Sequence, residues 1–62
     1  ISPHLYINKY RVNVAKRFLY TTNKTISEIA LECGFQDSSS FIRVFKRLEG
    51  VSPLAYRKSV TK

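Results

Sequence analysis

The chain has 62 residues, enough for one domain at most, and a domain this small buries only about 60% of the surface its unfolded chain exposes. Eleven Lys and Arg stand against four Asp and Glu, a net charge of +7, which suits a polyanionic partner such as nucleic acid or an acidic membrane surface. One Cys excludes an internal disulfide, and one Cys with one His cannot build a structural zinc site, so no metal or cofactor is expected. No long apolar run and no signal-peptide pattern occurs, so neither a membrane span nor an export route is expected. The sequence lacks an initiator Met and is expected to be a piece of a longer protein.

Ser2-Pro3 reads as an N-cap followed by proline at the first helical position. The spacing predicts a helix over 3–20 with two apolar stripes. One comprises Tyr6, Ile7, Tyr10, Val14 and Phe18; the other is Leu5, Val12 and Leu19, with Ala15 between them. One side is expected to pack on the helices downstream. The other, the Leu5/Val12/Leu19 stripe, is expected to have packed on an upstream element; the alternative is that both merge into one broad buried face. His4 is expected to face solvent. Thr21 to Lys24 reads as a loop, because Thr and Asn bond locally to the backbone in turns.

Thr25 and Glu28 have the spacing of a capping box, which starts a helix over 26–33. Ile26, Ile29, Ala30 and Cys33 share one face of it. Leu31 falls off that face and is expected to pack on the long helix. Cys33 is expected to be a buried structural thiol, with no His or Lys near it in sequence to activate it. Gly34 suits a left-handed helix end, and Phe35 is expected to enter the core at the corner.

Asp37 is an N-cap for a helix over 38–48. Phe41, Val44, Phe45 and Leu48 occupy one arc, and the opposite arc carries Ser39, Ile42, Arg43, Lys46 and Arg47, with Ser38 near its edge. Gly50 ends this helix. Ser52-Pro53 then repeats the start signal for a last helix over 53–59, from which Val51, Leu54, Ala55 and Tyr56 would close the core while Arg57 and Lys58 stay in water or meet phosphate.

Two short helices joined by a glycine turn, the second with an outer face that is short and polar first and basic later, fit a DNA-reading helix-turn-helix. The charge distribution agrees. Residues 25–37 hold three acids and no base, whereas residues 38–62 hold six bases and one acid. An enzyme is not expected, for want of an acidic pair, a Gly-rich phosphate loop or more than one His and one Cys. A helical protein-interaction module, docking through Leu31 or the Leu5/Val12/Leu19 stripe with only non-specific DNA affinity, is the alternative. A membrane-surface role fits less well, because the basic residues do not form one amphipathic stripe.

The motif I-S-E-I-A-x-x-x-G-F-x-D-x-S-x-F-x-R-x-F-K-x-x-x-G-V-S-P-x-x-Y-R, from Ile26 to Arg57, closely resembles the second helix-turn-helix of the AraC/XylS family of bacterial transcription regulators. The stretch from Tyr6 to Leu19 is similar to that family's linker helix. Cys33 departs from the pattern, where a small aliphatic residue is commoner. The resemblance implies an all-α fold: a small four-helix, homeodomain-like helix-turn-helix unit with a long N-terminal linker helix. It implies sequence-specific binding of double-stranded DNA in transcription regulation, with 38–48 as the recognition helix in the major groove. It also implies an upstream helix-turn-helix against the long helix, RNA polymerase as a partner, no membrane, and a place in the bacterial cytoplasm, at the nucleoid. On this reading Ser38, Ser39, Ile42 and Arg43 are expected to face base edges. Thr25, Ser27, Ser40, Lys46, Arg47, Ser52 and Arg57 are expected to meet phosphates.

Overall fold

The structure, a computed structural model, describes the backbone of residues 3–60 and the side chains of residues 5–60. The expectations for Ser2 and for the His4 side chain lie outside the described residues. Within them the chain is all-α: α1 (Pro3–Thr21), α2 (Ile26–Glu32), α3 (Ser38–Glu49) and α4 (Pro53–Val60). α1, α3 and α4 thus each extend one residue past the predicted end, to Thr21, Glu49 and Val60, so that Thr21 is helical and the loop starts at Thr22, while α2 stops one residue short, at Glu32.

α1 is the support on which the other three helices pack. Val12, Ala15 and Leu19 are fully buried in the core, and Val14 and Phe18 are half-buried against it. This corrects the expectation for the two stripes. Val12 and Leu19 turn inward and are not a docking surface. The exposed apolar surface of α1 lies mostly at the helix start, with Tyr20 exposed near its end: Tyr6 and Tyr10 are 67% and 68% exposed, and Leu5 and Ile7 are exposed beside them. The reason is length. At about 1.5 Å per residue, α1 is much longer than the 7, 12 and 8 residues of its partners, so its first turns project beyond them.

α2 begins with a complete capping box. The Glu28 N–H donates to Thr25 Oγ1 at 3.1 Å and the Thr25 N–H donates to Glu28 Oε1 at 2.9 Å. Ile29, Ala30 and Cys33 are buried. The helix ends in a Schellman arrangement: the Phe35 N–H donates to the Ala30 carbonyl at 2.9 Å and the Gly34 N–H to the Leu31 carbonyl at 3.1 Å, with Gly34 at φ +95°. Leu31, expected to pack on the long helix, is 63% exposed instead. It lies two residues from both Ile29 and Cys33, and at about 100° per residue that spacing sends it to the far side.

α3 starts at Asp37, whose carboxylate accepts from the Ser40 N–H at 2.8 Å, and ends at Gly50, in the left-handed conformation with its N–H on the Lys46 carbonyl. Phe41 and Phe45 are fully buried. Their rings continue a chain of contacts: Phe35 to Phe41 at 5.3 Å, Phe41 to Phe45 at 5.7 Å, and Phe45 to Tyr56 at 5.6 Å. Tilted and edge-on pairs like these add about 0.5–1.5 kcal/mol each beyond their buried area. α4 closes the core through Pro53, which is buried, and Tyr56, which is half-buried. Val51, Leu54 and Ala55, expected to share that task, are exposed. Pro53 and Tyr56 are three residues apart on one face, which leaves Leu54 and Ala55 on the other.

Gly34 carries a steric demand as well as a backbone one. A Cβ there would sit 3.2 Å from the Arg11 side chain, which itself lies over the Phe35 ring at 5.5 Å. Gly34→Ala should therefore cost about 1–2 kcal/mol in chemical denaturation, with Gly50→Ala, where a Cβ meets nothing, at the lower end. The helix caps also predict an acid dependence. Backbone N–H donation from Ser40 holds the Asp37 carboxyl below its ordinary range, and donation from Thr25 does the same for Glu28. Carboxyls depressed by folding stabilise the fold above their unfolded pKa values, and that contribution is lost as pH falls through the folded ones. Thermal melts should thus be flat near neutrality and fall below about pH 4, less so in Asp37→Asn.

Candidate nucleic-acid interface

With Phe41 and Phe45 committed to the core, the remaining surface of α3 is fixed in direction. Ser39, Arg43, Lys46 and Arg47 are exposed, Ser38 and Ser40 are half-buried, and Ile42 is 39% exposed. The structure therefore brings Ser39, Ile42, Arg43, Lys46 and Arg47 together on one solvent face of one rigid helix. Ser40 has its N–H held by Asp37, which sets where the first turn begins.

The acidic residues leave this face unopposed. Glu28 and Asp37 are occupied as helix caps. Glu32 pairs with Lys24 at 3.0 Å, and Glu49 pairs with Lys16 at 3.1 Å. Both ion pairs are partly exposed and worth little as stability. Their effect is on the field: all four acids of the chain have intramolecular partners, and among the described residues none pairs with Arg43, Lys46 or Arg47. Arg43 is close enough to Asp37 to contribute to lowering its pKa, a smaller effect than the Ser40 N–H.

The other expected contacts sit at helix starts. Thr25 Oγ1 and Ser52 Oγ already accept backbone N–H groups, from Glu28 and Ala55, at 3.1 Å each. Each hydroxyl keeps its own proton for donation outward. Ser27 is exposed on α2. Arg57 differs: its Nε–H donates to the Leu19 carbonyl at 2.9 Å and its Nη2–H to the Thr22 carbonyl at 3.3 Å. Sequence reasoning missed this, and it also missed Arg11 over Phe35 and Lys16 over the Tyr56 ring at 5.7 Å. None has a local signature, because each partner lies at least two dozen residues away in the chain.

Among the described residues no group of His, Cys, Asp and Glu could hold a metal ion. Burial pushes the Cys33 thiol pKa up, with Glu32 adding to it and Arg11 opposing, so the sulfur is a core atom with little thiolate character. No described helix is long and apolar enough to cross a membrane.

A family described as a helix-turn-helix domain matches residues 1–59. The HTH-type transcriptional regulator YisR of Bacillus subtilis is 40% identical over 62 residues, which is 100% of this chain and 22% of that protein. The melibiose operon regulatory protein of Escherichia coli (strain K12) is 43% identical over 53 residues, covering 86% of this chain and 18% of its own. This chain therefore spans about a fifth of the length of these relatives. Among solved structures, the DNA-binding domain of AdpA, a global transcriptional factor in complex with a target DNA, superposes with a TM-score of 0.90 at 34% identity, covering 95% of this chain and 53% of that one. The C-terminal domain of the two-component response regulator yesN from Fusobacterium nucleatum superposes with a TM-score of 0.88 at 37% identity, covering 92% and 55%. The chain belongs to the helix-turn-helix family of AraC/XylS-type transcription regulators.

Proposed function

We propose that this chain binds double-stranded DNA in a sequence-specific manner, as part of the DNA-binding domain of a longer transcription regulator, with α3 in the major groove. The observation that carries this reading is the outer face of α3, where Arg43, Lys46 and Arg47 project without an acidic partner beside Ser39 and Ile42. An exposed helix with short residues at its start and cations further along can enter the groove closely and still reach the backbone.

Ser38, Ser39, Ile42 and Arg43 face base edges. Arg43 offers a bidentate fork to guanine O6 and N7, and Ile42 offers an apolar contact to a thymine methyl. Lys46 and Arg47 reach phosphates and fix register. Thr25, Ser27, Ser40 and Ser52 join them through their hydroxyls at or near helix starts, where the helix dipole favours an anion. The exposed tyrosines at the start of α1 favour an upstream helix-turn-helix packed there, and RNA polymerase is the second protein partner expected of such a regulator. The proposed setting is the bacterial cytoplasm. The protein acts by binding and carries no catalytic role.

The two kinds of contact separate experimentally. Arg43→Ala should cost about 1–3 kcal/mol at the preferred site and relax specificity at one base pair. Lys46→Ala should weaken all sequences alike and lower the slope of log K against log salt by about one unit. Titrations of both variants on a preferred and an unrelated duplex check this. Equal loss on all sequences for both would remove Arg43 from the bases.

A further inference from the structure

α1 ends without a basic residue in its last turn to meet the negative end of the helix. Side chains meet four of the carbonyls at and just past its end, in two ways. The Thr21 and Thr22 hydroxyls turn back onto the Arg17 and Phe18 carbonyls at 2.6 and 2.7 Å. The Leu19 and Thr22 carbonyls are taken by the Arg57 guanidinium, which arrives from α4, 38 and 35 residues further along the chain. Arg57 is half-buried there. A cation absent from the helix itself is thus supplied by a neighbouring helix, and its planar fork spans two carbonyls three residues apart.

The position of those carbonyls matters. Thr22 opens the loop that leads to Thr25, the N-cap of α2. The Lys24 N–H donates to Thr22 Oγ1 at 3.3 Å, so this short loop is internally tied as well. On α4, the residue before Arg57 is Tyr56, whose ring packs on Phe45 of α3 at 5.6 Å. Two successive residues therefore link the inward face of α3 to the point from which α2 is launched.

Resting on the DNA-binding reading above, we infer that Arg57 is a positioning residue for the DNA-binding surface: it clasps the end of α1 and the loop before α2, and so holds the start of α2, with Thr25 and Ser27, in fixed relation to α3. It acts through these backbone carbonyls and not as a phosphate ligand. A phosphate ligand needs only a positive charge, which Lys supplies; a clasp on two carbonyls needs the rigid fork, which Lys lacks.

The test compares Arg57→Lys and Arg57→Ala with the unaltered chain, at a temperature where circular dichroism shows all of them fully folded. Duplex DNA affinity is measured across a salt series, and amide shifts are recorded by 15N–1H correlation spectra. The expected result is a loss of about tenfold in affinity for both variants, with the salt slope unchanged and the amides of Thr22 to Glu28 displaced. Loss of stability alone would leave the affinity of the folded protein unmoved. A salt slope reduced by about one unit in Arg57→Ala, with affinity restored in Arg57→Lys, would make Arg57 a phosphate ligand and overturn the inference. Unchanged affinity and unmoved Thr22–Glu28 amides in Arg57→Lys would overturn it too, and this variant alone decides if Arg57→Ala does not fold. Should the unaltered chain bind no duplex, the DNA reading falls, and with it the role in positioning a DNA surface; displaced Thr22–Glu28 amides would then retain only the structural clasp.

Discussion

Phe41 and Phe45 have no solvent exposure, and their rings stand between Phe35 at the turn and Tyr56 on α4. The contacts run through three parts of a 62-residue chain that has no disulfide, and no metal-binding group among the described residues, to hold them together. Because α3 has only one way to bury both rings against Val12, Ala15 and Leu19, its rotation about its own axis is set. That rotation decides which side chains face outward. Truncating either ring would cost about 3–5 kcal/mol, a large share of the stability of so small a domain. The interior packing and the outward chemistry of α3 are therefore one constraint seen from two sides.

Charge is organised around the same helix. Among the described residues the basic residues of α3 have no ion-pair partner, because each acid is engaged as a cap or in an ion pair with α1 or with the loop before α2. The pairing of Glu49 with Lys16 matters most for the site, since Glu49 is the last residue of α3 and the one acid in the C-terminal part of the chain. Drawn toward α1, it leaves the far end of α3 with Lys46 and Arg47. This division between carboxylates engaged within the chain and cations left facing solvent suits a polyanionic partner.

Much of this was legible in the sequence, for local reasons. The starts of α2, α3 and α4 and the end of α2 rest on partners within five residues: Thr25 with Glu28, Asp37 with Ser40, Ser52 with Ala55, and Gly34 after Cys33. The two faces of α3 were legible because its apolar residues fill a single arc. In α1 they fill two, each with valid helical spacing, and the pattern does not say which will be covered. That depends on where three short helices come to rest, which is why Val12 and Leu19 are core while Tyr6 and Tyr10 are surface. Leu31 and Leu54 misled in the same way, as apolar side chains whose burial is a tertiary matter. The sequence places Arg57 in water or on phosphate and does not disclose its hold on Leu19 and Thr22, because backbone carbonyls leave no mark on the sequence. Which outward residues of α3 meet bases and which meet phosphates follows from side-chain type and position along the helix, and that assignment rests on the DNA reading.

The most direct measurement is selection of this chain against random-sequence duplex pools, with affinity for the enriched and for one unrelated duplex followed from about 50 to 200 mM salt. The expected result is steep salt dependence on both duplexes together with enrichment of a short motif, as a basic helix reading bases from within the groove requires. Steep dependence with no enrichment would leave a phosphate-anchored unit and contradict base reading by α3. No binding at the lowest salt would contradict nucleic-acid recognition by this chain altogether.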